Sequence, residues 1–120
     1  MDDCPITFNT SVAVRPNIVP VDIEWSWALD VLSIAYTFTP EMNDVDEPAG
    51  TDFIVKHGTT PVVFVSASWT SDRIWTATYT HVGAPSLPIS TIYGYPSTNF
   101  ETEAGQWVAK FQDLDVSEIP

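Results

Sequence analysis

The chain has 120 residues, with 16 acidic side chains against 4 basic ones and a formal net charge of −12. That balance excludes a partner held by its phosphates, because affinity for nucleic acid rests on clustered Lys and Arg, and an anionic membrane surface would repel the chain equally. Apolar residues at 44% and aromatic residues at 12% exclude a disordered tail and supply the bulk for one core, which predicts a single domain over residues 1–120.

Alternation with a period of two runs through the chain, and no helical stripe competes with it. Ile6, Phe8, Val12 and Val14 share one parity and predict a first strand ended by Pro16. Val19, Val21, Ile23, Trp25 and Trp27 alternate next, with Asp22 and Glu24 on the other face. After Ala28-Leu29-Asp30 the parity changes, and Leu32, Ile34, Tyr36 and Phe38 line one side, which predicts a β-hairpin. Pro40 to Asp52, with Glu41, Asp44, Asp46, Glu47, Pro48 and Gly50, reads as a loop. Phe53 to Lys56 is a short strand and His57 to Pro61 a turn. Val63, Val65, Ala67 and Trp69 alternate again, Ser71-Asp72 turns the chain, and Ile74 to Thr80 returns. Ile89 to Tyr95 is a strand between Pro88 and Pro96. A polar loop with Asn99, Glu101, Glu103 and Gly105 leads to a last strand over Trp107 to Phe111. Met1 to Pro5 and Asp113 to Pro120 read as short extended arms. The pattern predicts an all-β, two-layer antiparallel β-sandwich of about eight short strands, immunoglobulin-like or jelly-roll-like.

One stretch repeats another at a constant offset. Val21, Ile23, Ser26, Trp27, Asp30, Leu32 and Ala35 recur as Val63, Val65, Ser68, Trp69, Asp72, Ile74 and Ala77. In each copy the Trp is expected to close the sheet end, largely buried, and the Asp to cap the turn through its side-chain oxygen. Duplication and the shared turn chemistry of all hairpins account for the repeat equally well.

Catalytic chemistry finds little support. His57 and His81 are the only histidines, each beside a glycine at a strand end, and no G-x-S-x-G elbow aims a serine at either. Cys4 is the single cysteine, so no internal disulfide forms, and with His57 and His81 far from it in sequence no zinc spacing exists. The five glycines build no phosphate cradle. Asp44, Asp46, Glu47 and Asp52 offer hard oxygens for calcium, but Pro48 and Ala49 break the EF-hand spacing, and a solvated acidic loop is the simpler reading. Trp25, Trp27, Trp69, Trp75 and Trp107 could stack on sugars, though core or sheet-end positions explain them more simply. No enzyme, cofactor or metal is expected. Met1 is followed by Asp2-Asp3 and not by a basic and then apolar segment, and no apolar run approaches transmembrane length, so neither a signal peptide nor a membrane span is expected.

Strands of this length ending in Trp-Ala-Leu-Asp (Trp27 to Asp30) or Trp-Thr-Ser-Asp (Trp69 to Asp72) resemble immunoglobulin-like sandwich modules of bacterial surface proteins and of tailed-phage accessory proteins. The inter-sheet disulfide of antibody domains is absent, because Cys4 has no partner. The resemblance implies a sticky or structural module, and with no signal, cofactor motif or basic patch the leading expectation is a non-enzymatic structural protein of a tailed-phage virion, such as a capsid decoration, neck or tail component assembled in the host cytoplasm. That expectation brings partners that are protein subunits, whether copies of itself or capsid and tail proteins; the alternative is an adhesive or glycan-binding module. Ile89 to Tyr95 carries apolar groups on both faces, so Ile89, Ile92, Tyr93 and Tyr95 are the candidate interface.

Overall fold

In the computed structural model the described residues are 18–45, 47–49, 52–94 and 100–119. They form eight strands and no helix: β1 (Asp22–Ala28), β2 (Val31–Thr37), β3 (Phe53–His57), β4 (Thr60–Pro61), β5 (Val63–Ser71), β6 (Ile74–Thr80), β7 (Ile89–Tyr93) and β8 (Phe111–Glu118). The chain is all-β. The strand expected over Ile6 to Val14 and the arm from Met1 to Pro5 lie outside the described residues.

All eight strands belong to one mixed sheet in the order β4-β3-β7-β8-β1-β2-β6-β5, curled into a half-barrel. Every pairing is antiparallel except β1 with β8, where Glu24 faces Ser117 and Trp25 faces Glu118. That short parallel contact joins two four-stranded halves, where two separate antiparallel sheets were expected. The curl follows from connectivity: β4 and β5 sit at opposite edges of the sheet, yet only Val62 separates them in sequence. A residue spans at most about 3.6 Å, so the two edges must meet there, and Val62 N–H donates to Val55 O at 2.9 Å.

The concave side holds the core. Leu32, Ile34 and Tyr36 of β2 lie opposite Tyr79, Ala77 and Trp75 of β6, and all six are buried. Phe53 and Val55 of β3, Ile89 and Tyr93 of β7, and Phe111 and Val116 of β8 come from the other half. The halves touch across the interior: Phe53 lies 4.7 Å from Trp75 between ring centroids, and the Tyr36 hydroxyl meets Thr91 Oγ1 at 2.6 Å. Burial holds the Tyr36 phenol well above its ordinary range, with the neighbouring Tyr79 adding to the effect.

The two segments read as polar loops in fact plug one end of the half-barrel. Met42 and Phe100 are fully buried, and Met42 bridges to Thr102. Phe100 meets Tyr93 edge-on at 5.4 Å and Phe38 at 5.3 Å. The final strand is also displaced from its expected place. Trp107 and Val108 make only isolated bridges, and Phe111–Glu118 is the strand. Asp113 to Glu118, taken from sequence as an arm, therefore lies within the sheet, paired with β7 on one side and β1 on the other.

The two repeated segments form hairpins that are not equivalent. In β2 the buried set is Leu32, Ile34 and Tyr36, whereas the matching positions Ile74, Thr76 and Thr78 of β6 are half-exposed and Trp75, Ala77 and Tyr79 are buried instead. Register shifts in β5, between Phe64 and Ser66 and between Trp69 and Ser71, account for the inversion. They turn Val63 and Val65 outward and bring Phe64, Ala67 and Trp69 toward the core. Such bulges also keep an edge strand from pairing with another chain. Trp27 and Trp69 are half-buried rather than largely buried, and the fully enclosed tryptophan is Trp75. Among the described residues neither Asp caps its own turn: Asp30 Oδ1 accepts from Gly83 N–H at 3.0 Å, and Ser71 Oγ accepts from Arg73 N–H in the second turn.

The first hairpin turns through Leu29 (φ 53°) and Asp30 (φ 64°), the pair of positive φ values that a tight two-residue hairpin demands. A branched residue in this region costs about 1–2 kcal/mol, and Leu29, 92% exposed, recovers nothing by burial. Leu29→Asn is therefore expected to raise stability by about 1 kcal/mol, read as a higher urea midpoint with an unchanged slope.

Candidate functional site

The structure separates the four candidate interface residues. Ile89 and Tyr93 point into the core, 2% and 0% exposed, because β7 lies between β3 and β8 and turns that parity to the concave side. Their side chains cannot meet a partner, which corrects the sequence expectation for both. Ile92 faces the other way and is half-buried; Tyr95 lies outside the described residues. Ile92 pairs across the ladder with Ile54, itself 45% exposed, so the convex face of β3 and β7 presents an apolar pair. An open groove of ≈ 350 Å³ adjoins it, lined by Ile92, Tyr93, Gly94, Lys110, Phe111 and Gln112.

At one end of the half-barrel the fold also joins two residues that sequence kept apart. His57 ends β3 and His81 follows β6, and their rings stand edge to face with centroids 4.4 Å apart. The segment from His81 to Pro88 carries the chain from the β6 half to the β7 half. Ser86 N–H and Leu87 N–H both donate to His57 Nε2, at 3.1 and 2.9 Å. His81 Nδ1 lies 2.7 Å from Gly83 O, and its backbone carbonyl accepts from Trp27 Nε1–H at 2.8 Å. Gly58 N–H donates to Pro88 O at 2.8 Å. Gly58 has φ +64°, and a Cβ there would come 2.9 Å from Leu87 Cδ1, so the side chain of Leu87 rests directly on this turn.

These contacts fix the proton positions. A neutral imidazole has one N–H and one acceptor lone pair. Nε2 of His57 accepts two amide protons, so its own proton is on Nδ1. A carbonyl can only accept, so His81 Nδ1 carries a proton as well. Partial burial first, and the neighbouring His81 second, hold the His57 imidazole below its ordinary 6.5. The sequence did carry a trace of the pair: each histidine stands at a strand end, His57 as the last residue of β3 and His81 just after β6, and precedes a glycine, Gly58 or Gly83, by one or two residues.

Asp44 and Glu47 are exposed, Asp52 is half-exposed, and Asp46 lies outside the described residues. Among the described residues no group of three or more His, Cys, Asp or Glu side chains is placed to hold a metal ion. Among the described residues no helix is long and apolar enough to cross a membrane. No protein-family model matches the chain, and no curated protein or solved structure does either.

Proposed function

We propose that the chain is a non-enzymatic structural protein of a tailed-phage particle, a capsid decoration, neck or tail component that works through protein–protein contacts with copies of itself or with capsid or tail subunits. The observation that carries this reading is the convex Ile54–Ile92 pair beside its groove. With a net charge of −12, like copies repel, so a contact between them must bury apolar area or neutralise carboxylates. A convex sheet face offering two adjacent isoleucines supplies the first route. The immunoglobulin-like or jelly-roll-like reading of the fold belongs with this proposal. Its support is the strand pattern and the way the two halves face each other through Phe53–Trp75 and Tyr36–Thr91.

Analytical ultracentrifugation at low and high salt tests the reading, because screening weakens repulsion between acidic copies. Self-association is expected to strengthen with salt, and Ile92→Asp to weaken it about tenfold, or roughly 1.4 kcal/mol. A strict monomer at every salt concentration, found with no particle, would overturn the proposal. A monomer that bound immobilised glycans would point to the adhesive alternative.

A further inference from the structure

We infer that the His57 imidazole is a proton-operated clasp that holds the His81–Pro88 segment across the end of the half-barrel, closed when the ring is neutral and released when it is protonated. The inference stands apart from the assembly reading and survives its failure.

The geometry carries it. Hydrogen bonds from Ser86 N–H and Leu87 N–H end on one ring nitrogen, and both require its lone pair. Protonation puts an N–H where those two N–H groups already point, so three donors would share a space with no acceptor. Both bonds must break. The freed amides can turn to water, since Ser86 and Leu87 are exposed, so opening requires no buried group to be stranded. The segment is suited to such a change. It has prolines at 85 and 88 and a left-handed glycine at 83, and most of its residues are exposed. Its remaining ties lie toward its two ends: His81 N–H to Asp30 O, Trp27 Nε1–H to His81 O and Gly83 N–H to the Asp30 carboxylate at one, and Gly58 N–H to Pro88 O with the Leu87 side chain against Gly58 at the other. The expected motion is thus an opening of the middle, with the ends still attached.

The groups around the clasp set its sign. His81 faces His57 from the segment itself, and charge on either ring opposes charge on the other. Asp30 reaches the segment from the β1–β2 turn at Gly83, on the His81 side. Lys56, the neighbour of His57 on β3, is engaged by Asp113 of β8 at 2.8 Å. The residue of β7 opposite His57 is Ile89, and the β3–β4 turn supplies only Gly58 and Thr59, none of which titrates. His57 is lowered relative to its ordinary value, so its neutral form is favoured in the folded protein. The stabilisation is complete above the ordinary imidazole range and is lost as pH falls through the lowered value.

The test is an NMR titration of the whole chain from about pH 8 to pH 5, following the two imidazole rings and the backbone amides of Ser86, Leu87 and Gly58. The neutral fraction of a ring falls about tenfold per pH unit below its midpoint. Exchange protection of the Ser86 and Leu87 amides, corrected for the intrinsic pH dependence of exchange, is expected to fall with the same midpoint as the His57 ring, below 6.5. In His57→Gln the side-chain carbonyl accepts at every pH, so protection there is expected to stay flat. His81→Gln is expected to move the His57 midpoint upward by removing a like-charged neighbour. A wild-type His57 midpoint at or above 6.5, or Ser86 and Leu87 amides that ignore the protonation of the ring, would overturn the clasp.

Discussion

Trp75→Ala is expected to be among the most destabilising single substitutions in the chain, at about 3–5 kcal/mol. Trp75 is fully buried on β6, where the two halves of the sheet face each other. Its ring lies 4.7 Å from Phe53, 5.6 Å from Phe100 and 5.7 Å from Tyr36, so one side chain touches β3, β2 and the plugging loop together. Removing it leaves a cavity bordered by rigid rings, which cannot collapse into the space as flexible aliphatic chains would. A domain stable by about 5–15 kcal/mol would lose a large share of its margin. Trp75→Phe separates packing from hydrogen bonding. Trp75 Nε1–H is buried with no hydrogen-bond partner among the described residues, so phenylalanine removes an unsatisfied donor while keeping most of the ring. Its cost is expected to fall well below that of alanine. Equal losses for the two variants in urea denaturation would mean that the indole nitrogen has a partner that matters.

The strands legible in the sequence were those whose two faces differ. Leu32, Ile34, Tyr36 and Phe38 alternate with smaller or more polar residues, and the structure buries all four. Ile74 to Thr80 was also plain as a strand, but its buried face was not, because Ile74 and Trp75 are both large and apolar and either parity could face inward. The register with β2, which sets Trp75 opposite the buried Tyr36, and the bulges of β5 decide in favour of Trp75. Phe100 and Met42 were hidden by acidic neighbours, since a single apolar residue in a polar loop has no period to reveal it. The candidate site was legible in part. Ile92 could be read as facing opposite to Ile89 and Tyr93, but which face is concave depends on the curl of the whole sheet. Of the histidine pair the sequence showed only that each ring stands at a strand end ahead of a glycine; that the two ends meet depends on a topology in which β3 and β6 lie in different halves.

The segment after Lys110 gives the strongest test of the architecture. Its composition, with Asp113, Asp115 and Glu118 around single apolar residues, is that of a solvated tail, yet as β8 it lies between β7 and β1 and joins the two halves of the sheet. Phe111 and Val116 face the core, and Val116 pairs with the buried Ile89. Ending the chain at Lys110 would remove both, expose the ladder edges of β7 and β1, and leave the halves joined only through Val62, the chain connections and packing. Loss of cooperative thermal unfolding is expected. Point substitutions locate the cause without shortening the chain. Val116→Asp forfeits about 1.5–3 kcal/mol of apolar burial and adds a carboxylate that the core cannot solvate. It is expected to unfold the protein or lower its melting temperature steeply. Ser117→Asp places the same charge one residue later, on the opposite face of the strand, where the side chain is exposed, and is expected to change stability by no more than about 0.5 kcal/mol. The contrast reads the pleat directly: an arm free of the sheet would tolerate aspartate equally at both positions, whereas a strand between β7 and β1 accepts it only on the face turned to water.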